Sequence, residues 1–311
     1  MITLLAGGTG AAKLVDGLSR EIDRSGLTLI CNTGDDIELY GLHVSPDIDT
    51  LLYTLAGMND WGKGWGIAGD SFYFLQSLHR LGYDTWFQIG DRDLATHLHR
   101  TLALRKGRSL SDVTDSIRRA FGIETVVLPM SDDPVETRVV TPSGDLHFQE
   151  FFVKGGWQEE VSTVYFKGAQ TARPAPGVVE AILQAQAVIL CPSNPVTSLG
   201  PILAVPGIRD ALRETRAPVL AVSPIVGGAP VSGPAHKLMA AKEWEVSSLG
   251  IARAFKDIVD IFVIDLRDRE MASAITSLGM KVFATATVMA NSEDRRRLAR
   301  EILEVLRPEG N

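Results

Sequence analysis

The chain has 311 residues, 45% of them hydrophobic and 22% charged, with a formal net charge of −7. That is long enough for one large α/β domain or two smaller ones, and the acidic balance argues against a nucleic-acid surface. The two cysteines each end an apolar run and read as buried thiols in a reducing compartment rather than a disulfide; no apolar span approaches twenty residues, so the expectation is an unanchored cytoplasmic protein.

The apolar run Ile2 to Ala6 lacks helical spacing and reads as a buried strand, followed by Gly7-Gly8-Thr9-Gly10 and a helix over Ala11 to Arg20. A glycine turn that opens a helix presents unpaired N–H groups and a positive dipole end, which suits a phosphate or diphosphate. Gly8 and Gly10 supply two glycines of the dinucleotide fingerprint, but Lys13 stands where the third belongs, and the Gly-Lys-Ser/Thr ending of a phosphate loop is absent. The turn is either a nucleotide site to which Lys13 reaches back, or a tight strand-to-helix connection with a solvated lysine.

A second strand, Leu27 to Cys31, ends in Asn32-Thr33-Gly34-Asp35-Asp36. In an open parallel sheet the carboxyl ends of the strands face the ligand crevice, so Asp35 and Asp36 are candidates for a metal or a ribose, or residues that merely satisfy a turn. Ser45-Pro46-Asp47-Ile48-Asp49-Thr50 precedes a helix carrying Leu51, Leu52 and Leu55. There Asp49 or Thr50 reads as a helix cap, with a second use of Asp49 as a carboxylate holding Mg²⁺ beside a diphosphate. His43 reads as structural.

Residues 58–70 form a glycine-rich loop with Trp61 and Trp65, which either anchor the loop or offer a stacking surface to a flat ligand. Asp70 or Ser71 then caps a helix running to Leu81, Asp91-Arg92-Asp93 opens another and Ser109 a third, so that 70–124 reads as a helical insertion in a single domain spanning 1–311. Strands follow at Val126 to Leu128, Glu136 to Thr141 and Leu146 to Val153, the last two as a hairpin around Pro142-Ser143-Gly144-Asp145. The alternation resumes with a helix over Val178 to Gln186 and strands at Ala187 to Cys191, Val219 to Ser223, Ile261 to Asp265 and Lys281 to Ala286. Arg295-Arg296-Arg297 reads as the solvated face of a charged C-terminal helix. No repeat of 20–50 residues recurs, and the fold class is a Rossmann-like, mostly parallel sheet with helices on both faces.

Together these loops resemble the 2-phospho-L-lactate transferase family (CofD, called FbiA in some bacteria). The resemblance runs nearly end to end and is carried by Gly7 to Gly10 with Lys13, Asn32 to Asp36, Ser45 to Thr50, Gly90-Asp91-Arg92-Asp93-Leu94-Ala95-Thr96-His97 and Met130-Ser131-Asp132-Asp133-Pro134. It continues through His147-Phe148-Gln149-Glu150, Pro192-Ser193-Asn194-Pro195, Ser223-Pro224-Ile225 and Val231-Ser232-Gly233-Pro234-Ala235. It implies a Mg²⁺-dependent transferase of deazaflavin coenzyme 420 biosynthesis, working as a homodimer. Its donor would be a three-carbon acid linked to guanosine diphosphate, its acceptor the ribityl hydroxyl of 7,8-didemethyl-8-hydroxy-5-deazariboflavin, and its released product GMP. In that frame Gly8, Thr9, Gly10 and Lys13 hold the diphosphate, and Asp49 with Asp35 or Asp36 holds the metal, or Asp49 orients the incoming hydroxyl. Ser193, Asn194 and Ser223 face the guanosine, and Trp65, Asp91 and Arg92 face the deazaflavin. The scaffold also resembles gluconeogenesis-factor-like proteins, which bind nucleotide sugars without catalysis; Gly90 to His97, His147 to Glu150 and Val231 to Ala235 favour the transferase. A nicotinamide-dependent dehydrogenase is disfavoured by the missing third glycine.

Overall fold

The computed structural model describes residues 1–307. At its centre is a seven-stranded sheet in the spatial order Val126–Pro129, Leu27–Cys31 (β2), Ile2–Ala6 (β1), Ala187–Leu190, Val219–Val222, Ile261–Asp265, Lys281–Thr285, with every adjacent pair parallel. The chain builds outward from β1 in one direction, then returns to β1 and builds outward in the other. The reversal between β1 and Ala187–Leu190 is the switch point at which open α/β sheets leave a crevice beyond the strand ends.

Alternating strand residues feed two separate cores. Leu5, Ile30, Val188, Leu190, Ala221, Phe262 and Ile264 pack into one with Val178, Ile202, Leu212 and Phe255. Their neighbours Leu4, Leu29, Ile189, Leu220 and Val263 pack into the other with Leu14, Leu51, Val113, Leu298 and Ile302. Strands buried on both faces read as continuous apolar runs, which is why these segments stood out in the sequence. Among the described residues, no helix is long and apolar enough to cross a membrane. Cys31 and Cys191 are buried free thiols, and burial pushes the pKa of each upward.

Four elements differ from expectation. The first helix, α1, begins at Gly8 rather than Ala11 and runs to Glu21, so the glycine turn is itself the helix start. The second, α2, spans Pro46–Leu55, which places Asp49 and Thr50 inside it and not at its cap; Pro46 at the first helical position was the overlooked signal. The segment expected as a strand over Leu146 to Val153 is a strand only over Gly144–His147 and then a π-helical turn, Glu150–Lys154. Glu150 closes that turn by accepting from the His147 N–H (2.9 Å), and the Phe148 and Phe152 rings stack at helical spacing, 5.4 Å apart. Finally, Arg295 is not solvated: it is 8% exposed and ion-pairs with Asp16.

Three helices lie between the Trp61 loop and Val126: α3 (Tyr73–Arg80), α4 (Asp93–Arg105) and α5 (Leu110–Ala120). Ser109 caps α5 by accepting from the Asp112 N–H. The starts of α3 and α4 cap each other. Asp91, just before α4, accepts from the Tyr73 and Phe74 N–H groups and the Ser71 hydroxyl, while Asp70, just before α3, accepts from the Arg92 and Asp93 N–H groups.

Candidate active site

A cavity of about 680 Å³ opens at the switch point, beyond the ends of β1, β2 and Ala187–Leu190. A hollow of similar size, about 700 Å³ between Glu160–Ser162 and His236–Val246, is more open and holds none of the strand-end residues. The strand-end cavity is lined by Gly7, Gly8, Thr9, Gly10 and Lys13 and by the aromatic side chains of Trp61, Trp65, Phe87 and Phe148.

The glycine turn is built by close approach. A Cβ on Gly10 would stand 2.0 Å from the Pro192 carbonyl oxygen, so only glycine lets α1 start against the loop that follows Ala187–Leu190. Gly8 has a positive φ of 69°. The Gly7 N–H points to the Ser193 hydroxyl at 3.4 Å, joining the two loops across the switch point.

Ser193, Asn194 and Ser223 all line the cavity. The Asn194 side chain accepts from the Val196 and Thr197 N–H groups, shaping its own loop. The Ser223 hydroxyl is engaged with Ser248 and with the backbone of Ile225.

Four buried carboxylates, Asp35, Asp47, Asp49 and Asp93, reach the wall. Burial, with the charge of Asp47 beside it, holds the Asp35 carboxyl well above the usual range, and its Oδ1 lacks a hydrogen-bond partner. Burial likewise raises Asp47 to about 6 against hydrogen bonds from Asn32 and the Gly8 backbone. Asn32 ties these two acids into one unit: its Nδ2 donates to Asp47 (2.9 Å) and to the Thr197 carbonyl, while its Oδ1 accepts from the Gly34 N–H. His147 and Gln149 brace the same turn through the carbonyls of Asp36 and Asp35.

Asp36 stands outside the cavity lining, its Oδ2 accepting from the Ser45 hydroxyl (2.7 Å) and contacting His43 (3.0 Å). Asp49 does line the cavity, but both of its oxygens accept from the buried Arg100 guanidinium, and His97 stands 3.5 Å away. Its carboxylate is thus held by a fixed cation, whereas Asp47, two residues nearer the start of α2 and so on a different side of that helix, has no cation beside it among its partners, Asn32 and the Gly8 backbone. His97 also meets Asp93 (3.1 Å), to which the Tyr53 hydroxyl donates at 2.5 Å. Asp47, Asn32, Tyr53 and Arg100 were not singled out from sequence. Asp93, His97 and Arg100, spaced by four and three residues, form a polar stripe on one face of α4, a signal that was available.

Asp91 and Arg92, expected to face the deazaflavin, stand outside the cavity lining. Asp91 is consumed in capping α3, where the Ser71 and backbone bonds lower its pKa, and Arg92 Nη1 donates to the Ala68 carbonyl. Trp65 does line it.

A crystallised UPF0052-family protein of Bacillus halodurans superposes with a TM-score of 0.64 at 16% identity, covering 97% of this chain and 98% of that one, which shows a shared fold. The 2-phospho-L-lactate transferase of Methanopyrus kandleri is 45% identical over 309 residues, covering 98% of this chain and 97% of the relative. That of Methanocaldococcus jannaschii is 43% identical over 308 residues, with the same coverage. A phosphoenolpyruvate transferase of Streptomyces griseus is 41% identical over 310 residues, covering 98% of each. Residues 2–304 match the family described as 2-phospho-L-lactate transferase CofD, so the chain is a transferase that belongs to the CofD family.

Proposed function

We propose that the chain passes the phospho-acid part of a guanosine diphosphate donor to the terminal ribityl hydroxyl of 7,8-didemethyl-8-hydroxy-5-deazariboflavin, releasing GMP, in the biosynthesis of deazaflavin coenzyme 420. The donor's acid is of the 2-phospho-L-lactate, phosphoenolpyruvate or 3-phosphoglycerate type. The reading is carried by one observation: a single cavity joins a glycine turn at a helix start to buried acids and to aromatic side chains. Such a lining suits a diphosphate at the turn and a flat ring against the aromatic side chains.

In this reading the N–H groups of the turn and Lys13 neutralise the diphosphate, while the loops of Ser193, Asn194 and Ser223 bound the guanosine. Phosphoryl transfer depends on such positioning and charge neutralisation more than on covalent help. Trp65 offers a face to the deazaflavin. Asp49 acts through Arg100 and His97, holding the wall of α4 against α2.

Mg²⁺ fits the residues present. The orphaned Oδ1 of Asp35 and the Asp47 carboxylate beside it supply the one or two carboxylates this ion takes alongside phosphate oxygens and water. When bound, Mg²⁺ would neutralise charge on the diphosphate.

The test is to incubate the protein with the deazaflavin, Mg²⁺ and each guanosine donor in turn and to follow product mass and GMP. One donor should yield both. Absence of product with all three would overturn the reading.

A further inference from the structure

The Trp61 loop forms one wall of the cavity, and its internal bonds give it a shape of its own. A bridge between Asn59 and Ile67 closes its base, and the Asp60 N–H donates to the Gly66 carbonyl (3.1 Å). The Gly64 N–H donates to the Asp60 carbonyl (2.7 Å), and the Asp60 side chain accepts from the Gly62 and Lys63 N–H groups. Lys63 Nζ lies over Trp65 and Phe72, 5.4 and 4.7 Å from the ring centres. The Met58 and Asn59 N–H groups anchor the base to the Tyr53 carbonyl at the end of α2 (2.7 and 3.1 Å), which leaves the height of the outer loop, 60–66, to be set by other contacts.

Two contacts meet that outer part. A Cβ on Gly64 would stand 3.2 Å from the Thr9 methyl carbon, so the loop tip rests on the glycine turn. At the loop's start, the Arg295 guanidinium carbon lies 3.7 Å from the centre of the Trp61 ring. Arg295 comes from the C-terminal helix, Ser292–Val305, which presses on α1 so closely that a Cβ on Gly17 would stand 2.2 Å from the Arg295 carbonyl oxygen. Asp16 Oδ2 neutralises the guanidinium from 3.0 Å off Nε, without hydrogen-bond alignment, and the other Asp16 oxygen accepts from Arg20. A planar cation withdrawn from water and laid on an indole face is a firmer hold than an exposed one, and an ammonium reproduces it only in part.

We propose that Arg295 is a positioning residue for the acceptor: its stack on Trp61 sets the 59–67 loop, with Lys63 and Trp65, at the height over the glycine turn at which a flat ring is gripped. The identity of the acceptor rests on the transferase reading above, whereas the placement of the loop does not. Arg295 touches neither substrate. Its effect is transmitted through Trp61.

The test compares wild type with Arg295→Met, which keeps length and packing, and with Arg295→Lys. Hydrogen exchange of the 58–70 peptide should quicken about tenfold in Arg295→Met, with the central strands unchanged. KM for the deazaflavin should rise about tenfold while GDP affinity holds, a split that general destabilisation does not produce. Arg295→Lys should fall between. Unchanged exchange of 58–70 in folded Arg295→Met overturns the proposal, as does an equal loss of GDP and deazaflavin binding. Should Arg295→Met not fold, Trp61→Leu breaks the stack from the other side, and unchanged loop exchange there overturns it equally. A wild-type protein that fails to bind the deazaflavin counts against the transferase reading, while the exchange comparison still decides the role of Arg295.

Discussion

Arg100 and Asp49 form a two-pronged ion pair sealed from solvent, linking α4 to α2 with the guanidinium 0% exposed. Removing one partner of such a pair strands a buried charge, which costs about 3–5 kcal/mol. Asp49→Asn should therefore lower the melting temperature and nearly abolish turnover together. Calorimetric melting beside a rate assay decides this; a variant with wild-type melting and no turnover would return Asp49 to direct contact with the reacting groups.

Asp47 makes the fold sensitive to pH. Its carboxyl is raised from 3.8 to about 6, so the folded protein holds this proton more tightly than the unfolded chain. The stabilisation is complete below about pH 4 and is lost as pH rises through about 6, an effect on the order of 3 kcal/mol. In metal-free buffer, Asp47→Asn should flatten this segment of the stability profile and be the more stable protein at pH 7. Denaturant titrations at pH 4, 5, 6 and 7 would show it, and an unchanged slope in the variant would mean that another group titrates.

Lys13 lies one turn into α1 on the cavity wall. Lys13→Ala should weaken GDP binding about tenfold, or ~1.4 kcal/mol, without altering the melting temperature. Titration calorimetry measures this directly, and equal GDP affinity would remove Lys13 from the diphosphate site.

Asp91→Ala separates a capping role from ligand contact. Losing the bonds to Tyr73 and Phe74 should lower the melting temperature while deazaflavin affinity holds. A variant of wild-type stability that no longer binds the deazaflavin would restore Asp91 to the substrate surface.

The sheet was readable because doubly buried strands are written as unbroken apolar runs, and each run such as Ile261–Asp265 needs only its own residues to be recognised. The glycine turn was readable for the same local reason. What escaped depends on partners distant in sequence. Nothing near Asp49 announces Arg100, and nothing near Arg295 announces Trp61. Asp91 and Asp70 each look like ordinary residues at a helix start until the two starts are seen to face each other. The stretch after His147 failed differently, since Phe148, Phe151 and Phe152 satisfy a strand's composition while their spacing suits a helical turn.

The bond from the Gly7 amide to Ser193 spans 186 residues, and the strands it joins are immediate neighbours. During synthesis, the amino-terminal half therefore emerges with one flank of β1 bare and its helix-start amides facing water. No binding pocket exists on the ribosome until the loop bearing Pro192 and Ser193 has cleared the exit tunnel and docked. A chain stalled before that point would hold β2 and α1 beside β1 yet be unable to capture nucleotide, so competence arrives late and all at once.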